Sequence, residues 1–223
     1  MNLAKNKQEI MKQVAVLVSD EQKAQPVEVI AVTKYVDVAT TQVLVNLGVQ
    51  HLGENRVDKF LEKYHQVKGK SLTWHLIGSL QRRKVKDVID YVDYFHALDS
   101  LKLAQEIQKR ATKPVKCFLQ VNISREASKH GFYVEELDGL LEELAKLDKI
   151  ILVGLMTMTP FEASDDEKQA IFHQARLINE NLAKKKITQM PFEHLSMGMS
   201  GDFALAIKEG ATFVRIGQSF FKE

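Results

Sequence analysis

Short apolar runs recur along this chain at residues 27–34, 51–55, 73–80, 94–99, 115–124, 152–158, 194–200 and 213–217, and helical patterns fill the gaps between them. That strict alternation constrains the fold more than any other feature. Each crossover helix must carry the chain back across the sheet, so successive strands run parallel. Eight is the number at which such a sheet closes into a barrel whose interior is filled by side chains. The expected fold is therefore α/β: a single (β/α)8 TIM barrel spanning residues 1–223. An extra helix is expected over residues 3–21, with Leu3, Ile10, Val14 and Leu17 as its apolar face. Only a few residues follow Gly217. The last helix should be short, and the N-terminal helix should cover the side of the barrel it leaves open.

Composition excludes several classes of function. Of 223 residues, 45% are hydrophobic and 27% charged, a balance typical of a globular protein and unlike a membrane span or a disordered chain. The net charge of +2 gives no broad attraction to nucleic acid or to an acidic lipid surface. Cys117 is the only cysteine, so neither an internal disulfide nor a cysteine-based zinc site can form, and no metal site is expected. Met1–Lys5 lack the apolar core of a signal peptide, which makes a cytoplasmic location the expectation. Between the strands, Leu137, Leu140, Leu141, Leu144 and Leu147 mark one amphipathic helix, and Ile171, Ala175, Ile178 and Leu182 mark another. Lys184, Lys185 and Lys186 follow the second as a solvated last turn that complements the helix dipole.

In a barrel of this kind functional groups gather at the carboxyl ends of the strands. Lys34 closes the first apolar run and alternates onto the side of Ile30 and Val32, toward whatever core they line. A lysine in such a place is a candidate nucleophile able to form an imine with an aldehyde, since desolvation or a nearby cation lowers its pKa. Snorkelling to solvent is the ordinary alternative. Phosphate sites in such barrels often fall on the loops after the seventh and eighth strands. Those loops read Ser196-Met197-Gly198-Met199-Ser200-Gly201-Asp202 and Arg215-Ile216-Gly217-Gln218-Ser219. Ser196 and Ser200 offer hydroxyl donors, and the glycines allow close approach of a ligand to the backbone. Arg215 shares a face with Phe213 and Gly217; if that face is the interior, its guanidinium enters the barrel mouth, where a structural salt bridge is the competing role. An imine lysine, phosphate loops and an arginine at a ring nitrogen are together the binding parts for pyridoxal 5′-phosphate. His75 faces inward with Ile77, either flanking a cofactor or sitting as a satisfied core histidine. Asn55 either bonds a ligand or caps the next helix, and Lys129 reads first as a solvated loop lysine, with an alternative site for cofactor transfer as its second reading.

The ordered motifs Ala31-Val32-Thr33-Lys34, Gly53-Glu54-Asn55, Trp74-His75-Leu76-Ile77-Gly78-Ser79-Leu80-Gln81, Val121-Asn122-Ile123-Ser124, Ser128-Lys129-His130-Gly131-Phe132, Gly154-Leu155-Met156, Leu195-Ser196-Met197-Gly198-Met199-Ser200 and Val214-Arg215-Ile216-Gly217 resemble the pyridoxal phosphate homeostasis proteins, the YggS/PROSC family. The resemblance implies a barrel like the N-terminal domain of alanine racemase, with the cofactor joined as an imine to Lys34. It further implies phosphate held around Ser200, Gly217 and Gln218, and Arg215 facing the pyridine nitrogen. Asn55 gains weight as a ligand from the same likeness. Gln218 departs from the threonine that many members carry, and Arg82-Arg83 replaces a Ser-Asn or similar pair. The implied function is to carry or buffer pyridoxal phosphate and to maintain vitamin B6 and amino-acid pools, without turnover of a substrate. Implied partners are pyridoxal phosphate itself, and apoenzymes that use it or enzymes of vitamin B6 metabolism; a monomer is expected. Amino-acid racemisation is the alternative, disfavoured because the chain ends soon after the eighth strand, where alanine racemases carry a second domain. A class I aldolase or sugar-phosphate isomerase is a third reading, against which the lysine's place on the first strand argues.

Overall fold

The computed structural model describes residues 1–18, 26–126 and 129–223. Eight parallel strands close into a barrel in sequence order: β1 (Glu28–Val32), β2 (His51–Glu54), β3 (Thr73–Leu76), β4 (Tyr94–Leu98), β5 (Val115–Gln120), β6 (Ile150–Met156), β7 (His194–Met199) and β8 (Phe213–Ile216). Closure is made where β8 pairs with β1, placing Ile30 opposite Arg215. Every expected strand is present. Their apolar runs are legible because both faces are covered, one by helices and one by the barrel interior. Among the described residues nine α-helices connect and flank the strands: α1 (Leu3–Leu17), α2 (Val38–Asn46), α3 (Val57–Gln66), α4 (Val85–Val88), α5 (Leu101–Arg110), α6 (Leu137–Leu144), α7 (Asp165–Lys184), α8 (Phe203–Lys208) and α9 (Gln218–Phe221).

The short last helix and the covering N-terminal helix are both observed. α1 packs on α8 and α9 through buried Leu3, Ile10 and Val14. Its buried Asn6 donates to the carbonyls of Phe220 and Lys222, at 2.9 and 2.8 Å, which ties the two ends of the chain together. The helix ends at Leu17 rather than at residue 21, and residues 19–21 of the expected span lie outside the described residues.

On α6 the expected stripe is buried at Leu137, Leu140, Leu141 and Leu144, while Leu147 lies beyond the end of the helix and is half-buried. On α7 the buried stripe is Phe172, Ala175, Asn179 and Leu182, one position away from Ile171 and Ile178. The reason is hydrogen bonding. Asn179 accepts from the Leu155 N–H at 3.1 Å and donates to the Phe192 carbonyl at 2.6 Å, so a polar residue on the inner face satisfies backbone groups that would otherwise be buried unpaired. Among the described residues, no helix is long and apolar enough to cross a membrane, and no group of three His, Cys, Asp or Glu side chains is placed to hold a metal ion.

Candidate functional site

The carboxyl ends of the strands gather the expected residues. β1 ends at Val32, and Lys34 lies in the turn beyond it with its side chain exposed, not within the strand as its alternation suggested. Its ammonium stands 4.7 Å from the ring centroid of Tyr35. The peptide just before it is clamped from below. Thr33 and Glu54 are wholly buried, and Lys63 on α3 is 1% exposed. The Lys63 ammonium donates to the Thr33 carbonyl at 2.7 Å and forms an ion pair with Glu54, whose Oε1 also accepts from the Thr33 hydroxyl at 2.7 Å.

Asn55 follows β2 and is half-buried. It does not cap α3, whose first turn is preceded by Arg56 and has no side-chain cap. Its backbone is the wall against which the third loop rests. A Cβ on Gly78 would lie 2.2 Å from the Asn55 carbonyl oxygen, so only glycine permits this close approach. Ser200 and the last loop converge. The N–H groups of Gly217 and Ser219 both donate to the Ser200 hydroxyl oxygen, at 3.2 and 3.3 Å. Gln218 lies between them with its side chain exposed. The Ser200 loop is held shut by buried Asp202, which accepts from the Met199 N–H at 2.6 Å and from the Thr159 hydroxyl at 2.7 Å. Lys129 is paired with Glu126 and its ammonium is buried, so it is not the solvated loop lysine expected; Ser128 lies outside the described residues.

Arg215 is buried beneath these loops. It donates to the Ser196 hydroxyl at 2.6 Å and to the Thr157 carbonyl at 3.1 Å. Both of these partners are neutral oxygens, unlike the carboxylate that the salt-bridge role requires. Burial lowers its pKa from the usual arginine value to about 10, against a weaker upward pull from Asp202. A guanidinium kept charged by neutral acceptors is a cation still able to serve a ligand.

His75 is the correction. It is wholly buried in β3, and both ring nitrogens are engaged, Nε2 with His51 Nδ1 at 2.9 Å and Nδ1 with His96 Nε2 at 2.9 Å. Its ring stacks on Tyr94 at 5.0 Å, which leaves neither nitrogen for a ligand. The barrel core is accordingly aromatic and polar, with Phe213 packed among His51, His75, Tyr94, His96 and Phe118. Burial holds the His75 and His96 rings well below the ordinary histidine range, helped by neighbouring rings and, at His96, by Arg215.

A pH dependence follows. Unfolded rings titrate near pH ~6.5 and the folded ones lower, so the unfolded chain binds more protons between those values. Stability is fully present above about pH 6.5 and is lost as acid is added. The slope is about 1.4 kcal/mol per pH unit for each fully buried ring until the folded pKa is passed. Urea unfolding across this interval should show that slope beyond the carboxylate contribution, and His75→Phe should flatten it. An unchanged slope in the variant would mean that His75 is charged in the folded chain.

Comparison with known proteins decides the family. Residues 8–223 match the model of the alanine racemase N-terminal domain. A pyridoxal phosphate homeostasis protein of Aquifex aeolicus is 41% identical over 181 residues, 80% of this chain and 78% of that one. Its counterpart in Haemophilus influenzae is 32% identical over 99% of this chain and 95% of its own. The chain belongs to the pyridoxal phosphate homeostasis protein family. Among solved structures, PipY of Synechococcus elongatus with PLP bound superposes with a TM-score of 0.87 at 31% identity, covering 99% of this chain and all of its own. Alanine racemase of Clostridium difficile shares the fold at 18% identity and a TM-score of 0.76, and this chain spans 56% of it. Membership leaves the histidines below Arg215 to be accounted for by the geometry alone.

Proposed function

We propose that this chain binds pyridoxal 5′-phosphate at the carboxyl end of its barrel, joined to Lys34, and carries or buffers the cofactor as part of vitamin B6 and amino-acid homeostasis. The observation that carries the reading is the buried Arg215 guanidinium, charged and bonded to neutral oxygens, in a chain whose full-length relatives are named for this role. When bound, the cofactor supplies an aldehyde for a lysine amine and a pyridine ring that withdraws electrons. The residues present fit it. Lys34 offers an accessible amine on a turn whose preceding peptide is clamped by Lys63. The N–H groups of Gly217 and Ser219 both donate to the Ser200 hydroxyl oxygen, so these two donors and the Ser200 O–H lie side by side for an anion to take. Arg215 presents a donor to a ring nitrogen and, unlike a carboxylate, does not keep a proton there, which weakens the ring as an electron sink.

That last point favours a carrier over an enzyme. The protein should bind pyridoxal phosphate stoichiometrically in a spectral titration, with no amino acid turned over at a rate typical of enzymes. Turnover on the order of 1–1000 per second for any amino acid would overturn the carrier role and restore racemisation.

The phosphate assignment has its own test. Ser200→Ala removes one hydroxyl from a charged ligand, a loss of about 1.5–3 kcal/mol. Affinity for pyridoxal phosphate should fall roughly tenfold or more while that for pyridoxal hardly changes. Equal losses for the two ligands would place the phosphate elsewhere.

A further inference from the structure

The interior of the barrel contains an unbroken line of hydrogen bonds that the binding site does not by itself require. It starts at Arg215, whose Nη1 donates to Ser196 Oγ at 2.6 Å. Ser196 Oγ lies 2.8 Å from His96 Nδ1, His96 Nε2 lies 2.9 Å from His75 Nδ1, and His75 Nε2 lies 2.9 Å from His51 Nδ1. The line ends at the opposite mouth, where His51 Nε2 stands 3.2 Å from Glu28 Oε2. Ser196, His75 and His96 are wholly buried, and only His51 and Glu28 reach solvent.

A neutral imidazole has one donor and one acceptor, so such a line has only two senses. In the first, every ring carries its hydrogen on Nε2. Ser196 then donates to His96, His96 to His75, His75 to His51 and His51 to the Glu28 carboxylate, and Ser196 keeps a lone pair for Arg215. Each donor has an acceptor. In the second, every ring carries its hydrogen on Nδ1. The bare Nε2 of His51 then faces the Glu28 carboxylate, and the Ser196 hydrogen needs a new partner beside a cation. The charges at the two ends select the first sense. Glu28 from β1 and Asp93 from the segment before β4 lie near His51, whereas Arg215 from β8 acts on His96. The negative end thus receives N–H groups and the positive end receives lone pairs.

We propose that Ser196, His96, His75 and His51 form a positioning relay for Arg215, all rings neutral with hydrogen on Nε2, that keeps the Ser196 oxygen an acceptor and so fixes the guanidinium at the floor of the pocket. The proposal deepens the reading of Arg215 as the group that meets the cofactor ring, and rests on it for its functional meaning. These are positioning residues, since His51, His75 and His96 act on the pocket only through their neighbours. The relay also makes a remote consequence unavoidable. A second hydrogen on His51, at Nδ1, would oppose the His75 N–H, and each ring above would have to reverse until Ser196 received a hydrogen bond from His96 instead of giving one.

The test reads the hydrogens directly, on the ligand-free protein. Long-range proton–nitrogen NMR correlation on 15N-histidine-labelled protein at neutral pH should show His51, His75 and His96 neutral and protonated on Nε2. Nδ1–H at either His75 or His96 would overturn the relay. In His51→Phe, where the His75 Nε2–H loses its acceptor, the His96 nitrogen shifts should move although His96 does not touch residue 51; unchanged His96 shifts would mean the rings act independently. In the same variant the pH midpoint of the bound-cofactor spectrum should move from that of the wild type, an effect that a packing defect alone would not produce. Correct tautomers together with no uptake of pyridoxal phosphate by the wild type would instead remove the proposed function and leave the relay standing.

Discussion

Lys34→Ala should abolish covalent capture of pyridoxal phosphate while leaving the protein folded. Three lysines near this end of the barrel are candidates for the attachment, and the structure separates them. Lys63 is buried and held by Glu54 and the Thr33 carbonyl, and Lys129 is paired with Glu126. Lys34 is exposed, with the Tyr35 ring beneath its ammonium. An amine already bound into a buried ion pair would have to break that pair before attacking an aldehyde, whereas the exposed Lys34 amine is open to one. Borohydride reduction of the loaded protein, followed by digestion and mass spectrometry, should place the added mass on Lys34. The variant should lack the yellow colour, and its unfolding free energy should lie within about 0.5 kcal/mol of wild type, as for other exposed turn residues. A main label on Lys129 or Lys63 would sink the assignment.

The barrel was legible because its evidence is local. Each parallel strand is an apolar run, and each is punctuated by a helix start, so order and number follow without knowledge of contacts. The carboxyl-end loops were legible for the same reason, since position along a strand fixes which mouth a residue faces. What could not be read was pairing across the barrel. His51, His75 and His96 each appear alone in their own segments, separated by more than 20 residues, and meet only because β2, β3 and β4 are in register. A signal was nevertheless present. Placing the strand starts side by side puts a histidine at the first position of β2, the third of β3 and the third of β4. Lys34 lies two residues beyond the end of β1 for a similar reason. Nothing in the run from Val27 says that the ladder stops at Val32, because that end is set by the Gly53 carbonyl accepting from the Thr33 N–H. The inward Asn179 escaped notice because helical periodicity weighs hydrophobicity and is blind to unpaired backbone groups.

The largest effect on stability is expected at a pair the sequence conceals. Lys63 stands on a helix among charged residues, where a lysine ordinarily faces water, yet it is 1% exposed and bound to a wholly buried Glu54. Removing one member of such a pair leaves the other charge without compensation in a low-dielectric setting, which costs about 3–5 kcal/mol. Lys63→Met keeps most of the volume and removes only the ammonium, so it should lower the unfolding free energy by that amount in urea. The loss should be felt most at Glu54, whose Oε2 has no hydrogen-bond partner among the described residues and whose Oε1 would keep the Thr33 hydroxyl. Adding Glu54→Gln to that variant removes the stranded charge and should recover a substantial part of the loss, because neutral polar groups are far cheaper to bury than ions. The double variant separates charge from shape. If Lys63→Met is as stable as wild type, or if Glu54→Gln brings no recovery, the pair contributes packing and not electrostatic stability. Recovery would identify the clamp under the peptide preceding Lys34 as an ion pair kept in place of cheaper apolar packing, at the point where the proposed attachment site must be held.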